Sequence, residues 1–191
     1  MDVILASQSP RRLFLLEAAG LTVEVRPSFI DESPLQGESA WMMTQRLCKL
    51  KAQACDTDGS IPVVAADTLV AIDGEALGQP RDLRKAKCMI RKLSGNRHQV
   101  YTAVCVRLGE VYRTQMVTTE VSFRSISEDE IEIYVQHNDI LDKAGAYAIQ
   151  GGASSFITGI KGGLDNVIGL PVQTTLDLIA QVKAAQLQGE V

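Results

Sequence analysis

The sequence predicts a single α/β domain with a mixed sheet, and three stretches of chain carry that prediction. Val3–Ala6 is an apolar run typical of a strand covered on both faces, and a helix signal follows it directly. Pro62–Ile72 has the same buried-strand pattern. Gln99–Leu108 and Val111–Phe123 are two long predicted strands joined by a Gly-Glu turn, which favours an antiparallel ribbon.

The remaining elements follow from local signals in chain order. Ser9 is a good N-cap and Pro10 suits the first helical position, so a helix is expected from there. Further strands are expected at Thr22–Val25, Glu75–Leu77 and Ser155–Ile160. Helices are expected at Glu38–Asp56 and from Asp82 to Leu93. Two more are expected from the Ser127–Glu130 capping box to His137, and from the end of Asn166–Pro171 to about Ala185. Because no repeat, linker or low-complexity tract appears, residues 1–191 are interpreted as one domain.

Composition limits the functional classes. The chain has 191 residues, 46% hydrophobic and 22% charged, which is ordinary for a soluble globular protein. Its net charge of −4 disfavours nucleic-acid binding, so any phosphorylated ligand must be captured by a local cluster of cations. The N-terminus has no signal-peptide pattern, and no segment approaches the ~20 apolar residues of a membrane span. A cytoplasmic protein without a membrane partner is therefore expected.

Cysteine and histidine offer little chemistry here. The four cysteines lack paired metal-ligand spacing and are interpreted as reduced structural thiols: Cys48, Cys55, Cys88 and Cys105. His98 and His137 are the only histidines, and neither lies in a nucleophile motif. Both are expected to be structural or solvated.

The turn after the first strand is a candidate anion site. Ser7 and Ser9 bring hydroxyls to it, and Arg11 and Arg12 lie in the first helical turn, where the helix dipole disfavours cations. Two arginines beside free helix N–H groups suit a phosphate chain. A solvated arginine pair near an ordinary N-cap is the equal alternative.

Asp67 interrupts the apolar run of Pro62–Ile72. A carboxylate in such a strand costs several kcal/mol unless it is paired, hydrogen-bonded or bound to a metal, which favours a functional acid. The alternative is a bend that exposes it. Thr68 follows and faces the opposite way in a regular strand.

A third informative stretch, Asp142–Ala153, is rich in small residues, so a ligand can approach its backbone. Lys143 is a candidate phosphate partner, and Gln150 offers a donor and an acceptor to a base edge. The alternative is a glycine-rich turn with a surface lysine.

Together these stretches suggest one site. The arginines and Lys51 would hold a phosphate chain, while Glu32 and Asp67 would hold a divalent cation bound partly to that chain. An activated water would then attack phosphorus. A kinase or P-loop ATPase is disfavoured because the sequence has no Walker loop.

The chain resembles the Maf family of nucleoside triphosphate pyrophosphatases from about residue 3 to residue 180. The motifs that carry the resemblance are Leu5-Ala6-Ser7-Gln8-Ser9-Pro10-Arg11-Arg12, Ala66-Asp67-Thr68, Leu93-Ser94-Gly95, Asp142-Lys143-Ala144-Gly145-Ala146-Tyr147, Ile149-Gln150-Gly151 and Gly169-Leu170-Pro171. The resemblance implies cleavage between the α- and β-phosphates, a divalent cation (Mg²⁺ or Mn²⁺), a cytoplasmic homodimer, and Asp67 as proton acceptor. Lys51, a cation of the combined site, is predicted to be catalytic beside Asp67. The implied fold, similar to that of inosine triphosphatases, is an elongated mixed β-sheet flanked by helices, with a substrate cleft.

Arg11, Thr68 and Gln150 stand where branches of that family differ, and together they resemble the dTTP/UTP branch. Two positions depart from the family pattern: Gln79 replaces a lysine, and Ala153 stands where glycine is usual. Arg81 or Lys85 is a candidate substitute for the missing cation. Because of Gln79, a nucleotide-binding regulator of cell division with weak or no catalysis stays the alternative.

Overall fold

The computed structural model describes residues 1–189, so residues 190 and 191 of the predicted domain lie outside the described residues. One seven-stranded sheet and six α-helices make up the described chain. The strands are β1 (Val3–Leu5), β2 (Val23–Val25), β3 (Val63–Ile72), β4 (Glu75–Leu77), β5 (Arg97–Leu108), β6 (Val111–Phe123) and β7 (Ile157–Lys161). The helices are α1 (Pro10–Ala18), α2 (Ala40–Ala54), α3 (Leu83–Leu93), α4 (Glu128–His137), α5 (Leu164–Ile168) and α6 (Val172–Leu187).

The sheet is mixed, as the sequence predicts. Its order is β2-β1-β3-β5-β6-β7, with β4 beside β3. β1 runs parallel to β2 and to β3, whereas every other pairing is antiparallel. The predicted ribbon is confirmed, because β5 and β6 pair from Arg97–Ser122 to Leu108–Val111.

One edge of β3 is open in its middle. β1 pairs with Val63 and Val64, and β4 pairs with Val70–Ile72. Between these two pairings, Asp67–Leu69 pair with β5 on one side, and no strand within residues 1–189 covers the other side. This opening places the middle of a buried strand beside a cleft.

Helices cover both faces of the sheet. Side chains of α1 and α6 pack on one face, and those of α2 pack on the other, where Cys48 and Ala52 meet Ala65 and Cys105. A third apolar cluster lies between α3, α4 and the far end of the ribbon. All four cysteines are free, and only Cys88 is exposed. None of the helices within residues 1–189 has the length and apolar character needed to cross a membrane.

Several expected boundaries are wrong in detail. The strand expected at Ser155–Ile160 begins only at Ile157, because Gly152 has a left-handed φ of 85° and a 3-10 turn follows over Ala153–Phe156. The segment before the last helix contains the separate helix α5, which ends at Gly169 (φ 129°). The second helix is two residues shorter at each end than the expected Glu38–Asp56.

Candidate active site

A cleft of about 610 Å³ opens where the edge of β3 is uncovered. Every site residue that the sequence predicts lines it: Ser7, Ser9, Arg11, Arg12, Glu32, Lys51, Asp67, Thr68, Lys143 and Gln150. The N-terminal turn, the buried strand and the small-residue segment, which are far apart in sequence, therefore meet at one surface. Their individual roles stay predictions.

Asp67 is buried and paired, not exposed by a bend. The regular register of β3 with β5 places Asp67 opposite Ala103, so its side chain points to the α2 face. There Oδ1 accepts a hydrogen bond of 2.7 Å from Nζ of Lys51, which is itself buried. Nζ also lies 2.9 Å from Oε1 of Glu32 in the loop before α2. One ammonium thus joins two carboxylates, which offsets much of the cost of burying Asp67.

The second oxygen of Asp67, Oδ2, is buried and has no hydrogen-bond partner among the described residues. A buried unpaired carboxylate oxygen is costly unless a ligand completes its interactions. Oxygen ligands of this kind suit a divalent cation that keeps waters and substrate phosphates in its shell. The donor set fits such an ion only in part, because no group of three or more His, Cys, Asp or Glu side chains within residues 1–189 could hold a metal alone.

The turn before α1 organises Arg12. Ser9 is at the N-cap and Pro10 at the first helical position, as predicted, but the Ser9 side chain makes no capping hydrogen bond. Ser7 Oγ instead accepts from the Ser9 amide (3.2 Å) and from Arg12 Nη1 (3.1 Å). Burial lowers the pKa of the Arg12 guanidinium and nearby Asp67 raises it, so Arg12 stays charged at any physiological pH.

A second group of charges lies across the cleft. Lys143 Nζ lies 2.6 Å from Oδ1 of Asp142, and Arg11 Nη1 lies 3.9 Å from Oδ2 of the same carboxylate. The side chain of Lys143 is only 12% exposed, so the alternative of a surface lysine is not favoured. Asp142 therefore pairs with two cations that line the cleft, a role that its place in the sequence motif does not predict.

Thr68 faces away from Asp67, as a regular strand requires, yet it also lines the cleft. Its hydroxyl accepts from Arg12 Nη2 at 3.2 Å and lies 3.0 Å from the Thr102 hydroxyl. Gln150 lies on the exposed side of the cleft at the turn before Gly151. The small-residue segment thus supplies both a partly buried cation, Lys143, and an exposed amide, Gln150.

Tyr147 holds the small-residue segment to the core. Its hydroxyl lies 2.8 Å from Nε2 of His98, and its ring makes an edge contact with Phe123. Both Gly145 (φ 68°) and Ala146 (φ 59°) have left-handed backbones, so the chain turns sharply between Lys143 and Tyr147. The sequence predicts that His98 is structural or solvated; the structure shows it buried and bonded to Tyr147, a contact that the sequence does not predict.

Burial lowers the pKa of His98 from 6.5 to about 4. Since the unfolded chain binds this proton more readily, stability from neutral His98 is fully present above pH 6.5 and is lost as pH falls toward 4, by about 3 kcal/mol. We expect His98→Gln to remove this part of the pH dependence of the unfolding free energy, measured by urea titration. His137→Gln, at the exposed histidine, is the matched control and should keep most of it. Equal pH dependence in wild type and His98→Gln would contradict the prediction.

Comparison with known proteins decides the family. The family model described as Maf-like protein matches residues 2–182. The chain belongs to the Maf family. A dTTP/UTP pyrophosphatase of Anaeromyxobacter dehalogenans is 47% identical over 182 residues, which cover 93% of this chain and 92% of that one. Another from Escherichia coli is 42% identical over 185 residues, covering 96% and 94%. Among solved structures, the Staphylococcus aureus Ham1 protein aligns over both whole chains at 13% identity and a TM-score of 0.48.

Two departures from the Maf pattern have different consequences in the structure. Ala153 is buried in a 3-10 turn, and its φ is not positive. An alanine therefore fits this backbone without strain, although the family usually has a glycine here. Gln79 lines the cleft and donates from Nε2 to the Asp142 carbonyl oxygen at 3.0 Å. Neither Arg81 nor Lys85 is among the described residues that line the cleft.

Proposed function

We propose that this protein hydrolyses dTTP and UTP to the monophosphate and pyrophosphate. Relatives between 40% and 47% identical over nearly the whole chain carry the name dTTP/UTP pyrophosphatase. The single observation that carries the proposal is a buried carboxylate, Asp67, with one unpartnered oxygen in the same cleft as Arg12. A buried acid of this kind, in a cleft lined by cationic side chains, suits water attack on a phosphoanhydride.

In this proposal the cations of the cleft bind the triphosphate. Arg11, Arg12 and Lys143 are partly buried, so their attraction for phosphate is screened less than that of surface charges. Because Asp142 already pairs with Arg11 and Lys143, the phosphate chain must replace its carboxylate at these cations. Arg12 keeps its orientation, since its partners are a main-chain carbonyl and two hydroxyls.

Asp67 is the proposed general base. Lys51 donates to Oδ1 and this contact fixes the carboxylate, so Oδ2 is left to accept a proton from water. Glu32 shares the same ammonium from the loop side and is 53% exposed. Lys51 therefore links the loop that carries Glu32 to the carboxylate of Asp67.

We also propose that a divalent cation, Mg²⁺ or Mn²⁺, takes part. Asp67 and Glu32 are the residues that would hold it, with phosphate oxygens completing its shell, and it would supply charge neutralisation at the phosphates. Gln150 is the proposed partner of the base edge, because an amide matches the mixed donor and acceptor pattern of uracil and thymine. A cytoplasmic homodimer stays a prediction.

A nucleotide panel tests the function. Pyrophosphate release from dTTP, UTP, dCTP, dATP and GTP should be measured with Mg²⁺, with Mn²⁺ and with a chelator. We expect turnover of dTTP and UTP at least about tenfold above the others, and loss of turnover with chelator. If dTTP binds but is not hydrolysed with either Mg²⁺ or Mn²⁺, the result would instead support the alternative, a nucleotide-binding regulator with weak or no catalysis. Gln79 favours that alternative because it places a neutral amide in the cleft where the family has a lysine.

A further inference from the structure

We propose that Thr102, which does not line the cleft, is a positioning residue that holds Arg12 in place through Thr68. The inference rests on the proposed function for its kinetic consequence, but the contacts that carry it do not. Thr102 is fully buried in β5, directly opposite Thr68 in the register of the sheet. Nothing in its sequence context distinguishes it from the apolar residues that surround it.

The direction of each hydrogen bond follows from counting hydrogens. The Thr102 hydroxyl donates its one hydrogen to the main-chain oxygen of Asn166 at 3.1 Å, because a carbonyl can only accept. Thr102 Oγ1 can then only accept from Thr68, which lies 3.0 Å away. The Thr68 hydroxyl, having given its hydrogen, accepts from Arg12 Nη2 at 3.2 Å. The relay runs one way, from Arg12 through both threonines to Asn166.

Asn166 is a rigid end for the relay. It is fully buried in α5, and its Nδ2 donates to the Val100 carbonyl at 3.1 Å and to Thr119 Oγ1 at 2.9 Å. These side-chain contacts hold Asn166 against both β5 and β6 and so restrict the position of its carbonyl. The relay therefore transmits the geometry of the long ribbon to the guanidinium in the cleft.

The relay uses only part of the guanidinium. Nε donates to the Gly169 carbonyl at 2.9 Å, Nη1 to Ser7 and Nη2 to Thr68. Three of the five N–H bonds of an arginine are thereby used, and two are left for phosphate oxygens. Because the Thr68 hydrogen is committed to Thr102, the Thr68 hydroxyl cannot donate to a base. Its contribution to the reaction is to orient Arg12.

Removing the Thr102 hydroxyl has a defined consequence. The only other acceptor described for the Thr68 hydrogen is the Gly169 carbonyl at 3.4 Å, which Arg12 Nε already uses. In Thr102→Val the Thr68 hydroxyl would turn toward that carbonyl, where it would share the oxygen with Arg12 Nε and lose the orientation in which it accepts from Arg12 Nη2. The isosteric valine fits a buried strand position, so this variant tests the hydroxyl with little change in packing.

Two measurements on the full-length chain test the proposal. The first is solvent exchange of the Arg12 Nε–H by nitrogen-15 NMR, with the signal assigned from Arg12→Lys. We expect exchange at least about tenfold faster in Thr102→Val than in wild type, and close to wild type in Thr102→Ser. The second is kcat/KM. We expect it to fall about tenfold in Thr102→Val, equally for dTTP and for UTP, and to lie within about threefold of the wild-type value in Thr102→Ser.

Thr44→Val is the matched control, because Thr44 is also fully buried but its hydroxyl bonds the Ala40 carbonyl within α2. It should change neither measurement. Unchanged Arg12 exchange in a folded Thr102→Val protein overturns the proposal, as does a serine variant no better than valine. Unchanged kcat/KM with faster exchange overturns the positioning role. If the wild-type chain hydrolyses no nucleotide, the proposed function fails, and the exchange measurement still decides the relay.

Discussion

Asp67→Asn is expected to lower kcat/KM for dTTP by about 1,000-fold, because an amide cannot accept the proton of an attacking water. The substitution keeps the shape of the side chain, and the amide oxygen can still accept from Lys51, so the fold should be retained. Pyrophosphate release at saturating Mg²⁺ measures the loss. Binding of a non-hydrolysable dTTP analogue by calorimetry should change less than turnover, because the cations proposed to bind the phosphate chain, Arg11, Arg12 and Lys143, are unchanged.

Asp142→Asn is the matched control for this experiment. It makes the same change to a carboxylate of the same cleft. Asp142, however, lies outside the strands, and its side chain is 59% exposed where it pairs with Arg11 and Lys143. Its activity should stay within about tenfold of wild type, since exposed ion pairs contribute little. Full activity in Asp67→Asn, or equal losses in both variants, would remove Asp67 from the role of base.

The elements of the fold could be predicted because each has a local cause. Ser127 and Glu130 form the capping box that begins α4, and the apolar run of Pro62–Ile72 becomes β3. The order of strands could not be predicted, since pairing between β1 and β3 depends on contacts across nearly sixty residues of sequence. The open edge at Asp67–Leu69 follows from that pairing and has no local signal.

The site could be predicted as a set of residues but not as a set of contacts. An acid such as Asp67 within an apolar strand is conspicuous in sequence because burial is costly. Lys51 gives no such signal, since it lies among other charged residues of a helix, yet the fold places its ammonium 2.7 Å from Asp67. The sequence does not predict the relay from Arg12 through Thr68 and Thr102 to Asn166. Threonine is an ordinary strand residue, and Asn166 contacts Val100 only through tertiary structure.

The largest expected effect on stability belongs to Lys51→Met. Methionine keeps most of the apolar stem of the lysine, but it leaves the buried carboxylate of Asp67 without its cation. Removing one partner of a buried pair typically costs 3–5 kcal/mol, so we expect the free energy of unfolding to fall by about 3 kcal/mol. Urea denaturation at neutral pH measures it. Turnover of dTTP should also fall, because nothing then fixes Oδ1.

A double-mutant cycle separates the pair from simple packing. In Lys51→Met/Asp67→Asn neither buried charge remains, so much of the lost stability should return relative to Lys51→Met alone, with a coupling energy of roughly 1–3 kcal/mol. Lys51→Met/Glu32→Gln is the matched control, because Glu32 is 53% exposed and its loss relieves little burial cost. If the effects of Lys51→Met and Asp67→Asn simply add, the ammonium does not stabilise the buried acid. Recovery in the double variant, with activity still absent, would mean that this chain retains a costly buried charge pair for its reaction and not for its fold.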